Sequence, residues 1–455
     1  MNTPHLSLRE AIIRASTWIV GGHVASQIIR LAGNLIMTRL LVPEMFGVMA
    51  VANTLIVGLQ LCSYFGIHHN IIQSHRGDDP LFLNTAWTFQ IIRGFIIFFL
   101  AIGLAGGLFL ANLFGLVGES SAYHNPVLPS VLAALSLTAL ISGFESTKMA
   151  TANRSMRFGR VTLLELTTQV IGLIVMIAWA LVDKSIWALV AGTISASSTR
   201  TLLSHWWFMK GVTNHLMWDR AIFKELFTFG KWMLLTTILG YLVGNGDRLI
   251  LAGLLSADVL GIYTIALFMI NALQEVLSKL TTNATLPALS KVVRERREEL
   301  SAVYYKIRFP IDLAILFICG ILIYAGHLIT DVLYDQRYAT AGHMLEILAI
   351  SLFATRYILS DQVFIALNKL KLMIPVQIVQ LLVTFFVITP IYNAYGIDGA
   401  IWIIALTPLL ALPVKFYFMI KYGFFNLKKE LYVLPALPAG LAIGALINVV
   451  AQHFL

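Results

Sequence analysis

From Thr17 onward the chain alternates apolar runs of about twenty residues with short polar turns, and this alternation limits the possible folds more than any motif. A run of that length, coiled as a helix, matches the hydrocarbon thickness of a bilayer. Only a helix or a closed barrel satisfies its backbone hydrogen bonds in lipid. Thirteen runs are read, at about 17–37, 45–66, 84–111, 127–147, 161–182, 186–209, 229–254, 259–284, 308–330, 341–365, 372–391, 398–420 and 432–453. Composition agrees: of 455 residues, 58% are hydrophobic and 12% charged, with a mean hydropathy of +0.81, which excludes a string of soluble domains. The sequence predicts an all-α polytopic membrane protein.

The net charge of +9 would suggest nucleic acid for a soluble chain, but here its distribution follows the positive-inside rule. With the N-terminus in the cytoplasm, inner segments hold 22 of the 32 Lys and Arg residues, and outer loops hold only Arg39, Lys184 and Arg337. No nucleic-acid partner is expected. Cys62 and Cys319 lie within apolar runs and give neither a disulfide framework nor metal-ligand spacing. Ser7-Leu-Arg-Glu10 reads as a capping box opening a helix, and no small-residue cleavage site follows, so the first run is expected to be retained. The longest outer loop, about 112–126, carries one charge, Glu119, and has no room for a catalytic domain. The basic inner loop at about 285–307 is expected to form a surface helix against anionic lipid.

The chain also repeats itself. A shift of 214 lays Arg39-LLVPEMFGV on Gly253-LLSADVLGI. A shift of 215 lays Ala152-Asn-Arg154 on Leu367-Asn-Lys369, Asp183-Lys-Ser-Ile-Trp187 on Asp398-Gly-Ala-Ile-Trp402, and Ile92-Arg93 on Ile307-Arg308. These matches predict two pseudo-symmetric six-helix lobes, 1–210 and 211–424, and an extra transmembrane helix in 425–455. Six is even, so both lobes enter the membrane from one side, a parallel repeat of the transporter type. Binding in such architectures is expected between the lobes, near the midplane.

Within the first run, His23, Gln27, Arg30 and Asn34 recur at helical spacing and form one polar stripe on an apolar rod. The repeat maps them onto Thr237, Tyr241, Gly244 and Arg248. An arginine at the bilayer centre costs roughly 2.5–3.5 kcal/mol on insertion scales, so two of them favour a use. Guanidinium grips phosphate oxygens in pairs and keeps its charge at any accessible pH, which suits an anionic substrate. Arg200 and Arg356 also lie within runs and are further candidates to reach a cavity. Among in-run carboxylates, Asp247, Glu165 and Asp361 are candidates for proton or sodium coupling, with Glu145 and Glu275 beside them. Any of these charges also has a structural alternative as an ion-pair partner, and His23 and Gln27 as interhelical hydrogen-bond partners.

The Arg39-LLVPEMFG turn, Phe229-Gly-Lys-Trp with Asp247-Arg248 further along, Gly253-LLSADVLGIY, and Ser155-Met-Arg-Phe158 together resemble polysaccharide flippases of the multidrug/oligosaccharidyl-lipid/polysaccharide (MOP) exporter superfamily. The resemblance runs through the twelfth run. It implies translocation of an undecaprenyl-diphosphate-linked oligosaccharide (an O-antigen, capsule or exopolysaccharide repeat unit) from the inner to the outer leaflet of a bacterial inner membrane by alternating access. It implies no cofactor beyond H⁺ or Na⁺ coupling, and a polymerase and glycosyltransferases as partners. The diphosphate would meet Arg30 and Arg248 in a cationic cavity, with the polyprenyl tail in lipid.

Three rivals remain. A drug/cation antiporter of the same superfamily would want an acidic cavity. A membrane O-antigen polymerase or ligase would need a substantial outer loop. A major-facilitator sugar transporter would carry a charged signature that Ser74-His-Arg-Gly-Asp-Asp79 lacks.

Overall fold

The computed structural model describes residues 8–62, 65–207 and 213–454, and every regular element among them is helical. The chain packs as two compact units, Met1–Tyr241 with Leu255–Asp258, and Leu242–Leu254 with Val259–Leu455.

The first unit is built from α1 (Leu8–Leu40), α2 (Pro43–Cys62), α3 (Ile67–Gln73), α4 (Pro80–Leu113), α5 (Leu128–Gly143), α6 (Lys148–Arg154), α7 (Phe158–Val182), α8 (Trp187–Trp206) and the first part of α9 (Arg220–Leu254). The local reasons for these starts and stops are ordinary. Asp79 caps α4, accepting from the Leu81 amide at 3.0 Å, with Pro80 at the first helical position where its missing N–H is harmless. α5 ends at Gly143, and the chain bends by 60° into α6. α7 packs on α1 and α8, and α5 on α8, α4 and α2. A core of Ile67, Ile71, Phe82, Leu83 and Phe89 takes in Ile222 and Leu226 from the start of α9.

The second unit holds the rest of α9, then α10 (Ala257–Glu295), α11 (Leu300–Leu333), α12 (Thr340–Ala349), α13 (Leu352–Thr355), α14 (Ile358–Ala366), α15 (Met373–Leu410), α16 (Leu412–Lys421), α17 (Leu427–Tyr432) and α18 (Ala436–Phe454). Its largest helix contact joins α11 to α18 through glycines. A Cβ placed on Gly440 would collide with the Phe317 carbonyl, and one on Gly444 would lie 3.0 Å from the Ile321 carbonyl. Gly440 and Gly444 thus let two backbones approach as a GxxxG pair does in lipid.

Among the described residues, the thirteen sequence runs fall mainly on helix, with three changes of outline. The run at 341–365 is broken into α12, α13 and α14. The runs at 372–391 and 398–420 share α15, interrupted at Gly396, whose φ of 68° with ψ of −157° is essentially glycine-only backbone. The surface helix expected at 285–307 is replaced by extensions of α10 and α11, with only Arg296–Glu299 between them. Leu289 and Val292 keep helical spacing and bury in one core with Tyr304, Tyr305 and Phe424, so one face of the extension packs within its own unit. Ser7 lies outside the described residues.

Among the described residues, eight helical spans are long and apolar enough to cross a membrane, or nine when α5 and α6 count as one bent span. One of the eight, Leu370–Lys421, is 52 residues long and covers two of the sequence runs. α1, α8 and α9 fall below that measure. Each carries polar residues mid-helix: the α1 stripe, the Thr193–Arg200 run of α8, and Asn245, Asp247 and Arg248 in α9. The chain is an all-α, multi-pass membrane protein.

Candidate functional site

The α1 stripe can be placed by the contacts of its neighbours. Gly22 and Gly33 face Thr162 and Leu173 of α7, and the Gln169 side chain donates to the Ser26 carbonyl at 3.3 Å. At about 100° per residue these seam positions cluster on one side. His23, Gln27, Arg30 and Asn34 lie roughly a quarter-turn round, between that seam and the exposed apolar face of Val24, Ile28 and Leu31. His23 and Gln27 are half-buried and their Nε2 atoms lie 3.5 Å apart; Asn34 is half-buried and Arg30 exposed. The four polar groups thus share one face of α1, to the side of the α7 seam.

The mapped residues of α9 behave differently. Tyr241 is buried and donates its hydroxyl to the Thr54 carbonyl of α2 at 2.6 Å, next to Gly58, where a Cβ would come within 2.9 Å of that oxygen. Arg248 is half-buried and its Nη1 donates to the Asn245 side chain at 2.8 Å. Asp247 accepts from the Tyr263 hydroxyl. It also helps line a cavity of about 180 Å³ within the second unit, where Asn271, Gln274, Ser351, Gln380 and Thr384 stand among apolar side chains.

The remaining candidates lie in ion pairs. Arg200 Nε sits 3.2 Å from both Glu145 oxygens, with Glu165 at 3.8 Å from Nη1. Arg200 and Glu145 line a cavity of about 170 Å³ in the first unit that also includes His68, Gln90 and Arg93. His68, outside the spans, is lowered to about 4 by burial, then by His69 and Arg200, and its ring contacts Asn153 at 3.0 Å. Asp361 pairs with Lys415 at 2.9 Å. A shift of 215 carries Arg200 onto Lys415, and Glu145 lands one residue short of Asp361. The repeat therefore extends to an ion pair placed alike in each unit.

Arg356 enters a buried quartet that the sequence reading did not assemble. Arg308 Nε bonds Asp312 at 2.9 Å, and its two Nη atoms bond the Glu430 oxygens at 2.5 and 2.9 Å. Arg356 Nη2 completes it, 3.0 Å from Asp312 and 3.2 Å from Glu430. Hydroxyls of Tyr305 and Tyr357 donate to Glu430 at 2.8 and 2.9 Å, and the Arg308 guanidinium stacks 4.3 Å over the Tyr357 ring. None of the four charged side chains is more than 7% exposed. Two cations and two anions cancel, which makes such burial tolerable. Asp312 and Glu430 were missed; the i, i+4 spacing of Arg308 and Asp312 in an apolar run was the available signal. Among the described residues no group of three or more His, Cys, Asp or Glu could hold a metal.

Solved structures with this fold include the lipid II flippase MurJ in an inward closed conformation, at 11% identity and TM-score 0.65, covering 96% of this chain and 93% of that one. A MOP superfamily transporter from Pyrococcus furiosus is 18% identical at TM-score 0.55, over 91% and 96% of the two chains. An inward-facing multidrug resistance MATE family transporter is 16% identical at TM-score 0.56, over 92% and 96%. With the helix order, these likenesses define the fold class: an all-α membrane fold shared with transporters of the MOP superfamily. Residues 36–343 match the family described as polysaccharide biosynthesis protein, and the chain belongs to it. The lipopolysaccharide biosynthesis protein WzxC of Escherichia coli (strain K12) is 24% identical over 306 residues, 66% of this chain. That match spans 59% of the length of WzxC.

Proposed function

We propose that the protein flips a polyprenyl-diphosphate-linked oligosaccharide from the inner to the outer leaflet of a bacterial inner membrane by alternating access, with its N-terminus in the cytoplasm. The observation that carries this reading is the α1 stripe. His23, Gln27, Arg30 and Asn34 share one face of α1, to the side of its seam with α7, in a chain of the polysaccharide biosynthesis family. A hydrated sugar chain needs such a wall to cross lipid, and guanidinium suits the diphosphate. Arg248 supplies the second positive charge. Arg200 and Arg356 act through the carboxylates they hold, and Tyr241 positions α9 against α2. Asp247, in a cavity it shares with Asn271, Gln274 and Gln380, is the favoured coupling group for H⁺ or Na⁺, ahead of the paired Glu165 and Asp361. Residues 1–210 and 211–424 act as the two moving lobes, and 425–455 as an added helix. A polymerase and glycosyltransferases supply and consume the repeat unit.

The test is complementation of a flippase-null strain. Arg30→Ala and Arg248→Ala should each abolish surface polysaccharide with membrane expression unchanged. Full polymer from both variants would refute the cationic pathway. Ethidium efflux lost in Glu165→Ala or Asp361→Ala would instead indicate a cation antiporter.

A further inference from the structure

α17 has an anchored underside and an open outer side. Glu430 points inward to Arg308, Arg356 and two tyrosines, fixing the short helix to α11 and to the turn between α13 and α14. On the outer side Leu427, Leu431 and Tyr432 are 61%, 53% and 75% exposed, with Lys428 and Lys429 exposed beside them. The first turns of α11 face this edge with Lys306 and Phe309, whose ring lies 6.0 Å from that of Tyr432. Together they enclose a cavity of about 420 Å³ lined by Tyr305, Lys306, Phe309, Lys428, Lys429 and Tyr432. Asp312 reaches its floor, but Arg308 and Arg356 already hold that carboxylate.

The charge balance decides what such a cavity would take. The quartet beneath it sums to zero, so three ammonium groups remain in excess, and among the described residues none of the three forms an ion pair. Lys429 Nζ lies 5.3 Å from the Tyr305 ring, where the aromatic face steadies it. An anion is therefore favoured. The exposed apolar rim narrows the choice, because a free anion gains nothing from Phe309, Leu431 and Tyr432, whereas an acyl chain does. The volume lies in the range of small-ligand pockets, roughly 300–1,000 Å³.

We infer that this cavity binds the phosphate headgroup of an anionic phospholipid, with Lys306, Lys428 and Lys429 on the phosphate and Phe309, Leu431 and Tyr432 against the acyl chains. The leaflet is the inner one on the orientation proposed above, and only that detail rests on it. The bound lipid would brace α17, and through Glu430 the quartet, against the membrane surface.

Full-length protein in mixed phosphatidylglycerol–phosphatidylcholine vesicles tests this, with spin-labelled lipid of each type reporting association. The wild type should prefer phosphatidylglycerol, and Lys306→Gln/Lys428→Gln/Lys429→Gln should lose most of that preference, roughly fivefold per lysine. The three side chains are exposed and Glu430 is untouched, so the variant should unfold at the wild-type temperature. Lys369→Gln/Lys371→Gln, on the turn before α15, should keep the preference. Equal loss there would mean general surface charge and would overturn the site, as would a triple variant that still prefers phosphatidylglycerol. Inorganic phosphate should not displace the lipid; displacement would assign the cavity to a free anion. Lipid association is measured without transport, so this site and the flippase reading fail separately.

Discussion

Removing the Glu430 carboxylate isolates the largest electrostatic commitment in the second unit. In Glu430→Ala, Arg308 and Arg356 share only Asp312, which leaves one uncompensated positive charge where no charged side chain is more than 7% exposed. Breaking a buried pair from one side costs about 3–5 kcal/mol. Tyr305 and Tyr357 also lose the acceptor for their hydroxyls, at about 1–3 kcal/mol for each left unsatisfied. A total near 5 kcal/mol follows once water reaching the adjacent cavity relieves part of it. For a lobe of about 200 residues, at about 2–4 °C per kcal/mol, the apparent Tm should fall by about 10 °C or more. Thermal unfolding of the detergent-purified protein, followed by size-exclusion chromatography, measures it. The double variant Arg356→Met/Glu430→Ala restores neutrality with Arg308 and Asp312 alone, and should recover about 1–3 kcal/mol over the sum of the single effects. A Glu430→Ala shift below about 2 °C, or strict additivity in the double variant, would refute the argument.

Three further outcomes are expected. Gly440→Val should push α18 off the Phe317 carbonyl and destabilise by about 1–3 kcal/mol, whereas Gly103→Ala, with open space around it, should be neutral in the same unfolding assay. Lys415→Met should destabilise by orphaning Asp361, and Lys415→Met/Asp361→Asn should recover most of the loss, measured as a double-mutant cycle. His68, held near 4, stays neutral in the folded protein while the unfolded chain takes up a proton below about 6.5. Stability should therefore decline as pH falls from about 6.5 towards 4, and His68→Asn should flatten that slope in a pH series of melting curves.

The membrane class, the run of helices and the α1 stripe were legible in the sequence because each depends on local periodicity. Twenty apolar residues must coil in lipid whatever surrounds them, and polar residues at i, i+4, i+7 and i+11 must share a face. The 215-residue offset carried further than the motifs that revealed it, since it also relates Arg200 to Lys415. What sequence could not supply was the partner of each buried charge. Arg356 and Asp361 look alike as isolated charges in apolar runs. Their surroundings separate them, one in a neutral quartet with Glu430, 74 residues away, and the other against Lys415. Spacing along a helix decides which side chains share a face, but only tertiary packing decides which carboxylate meets which guanidinium. In a low-dielectric interior that pairing determines whether a charge is a structural anchor or remains available to a substrate.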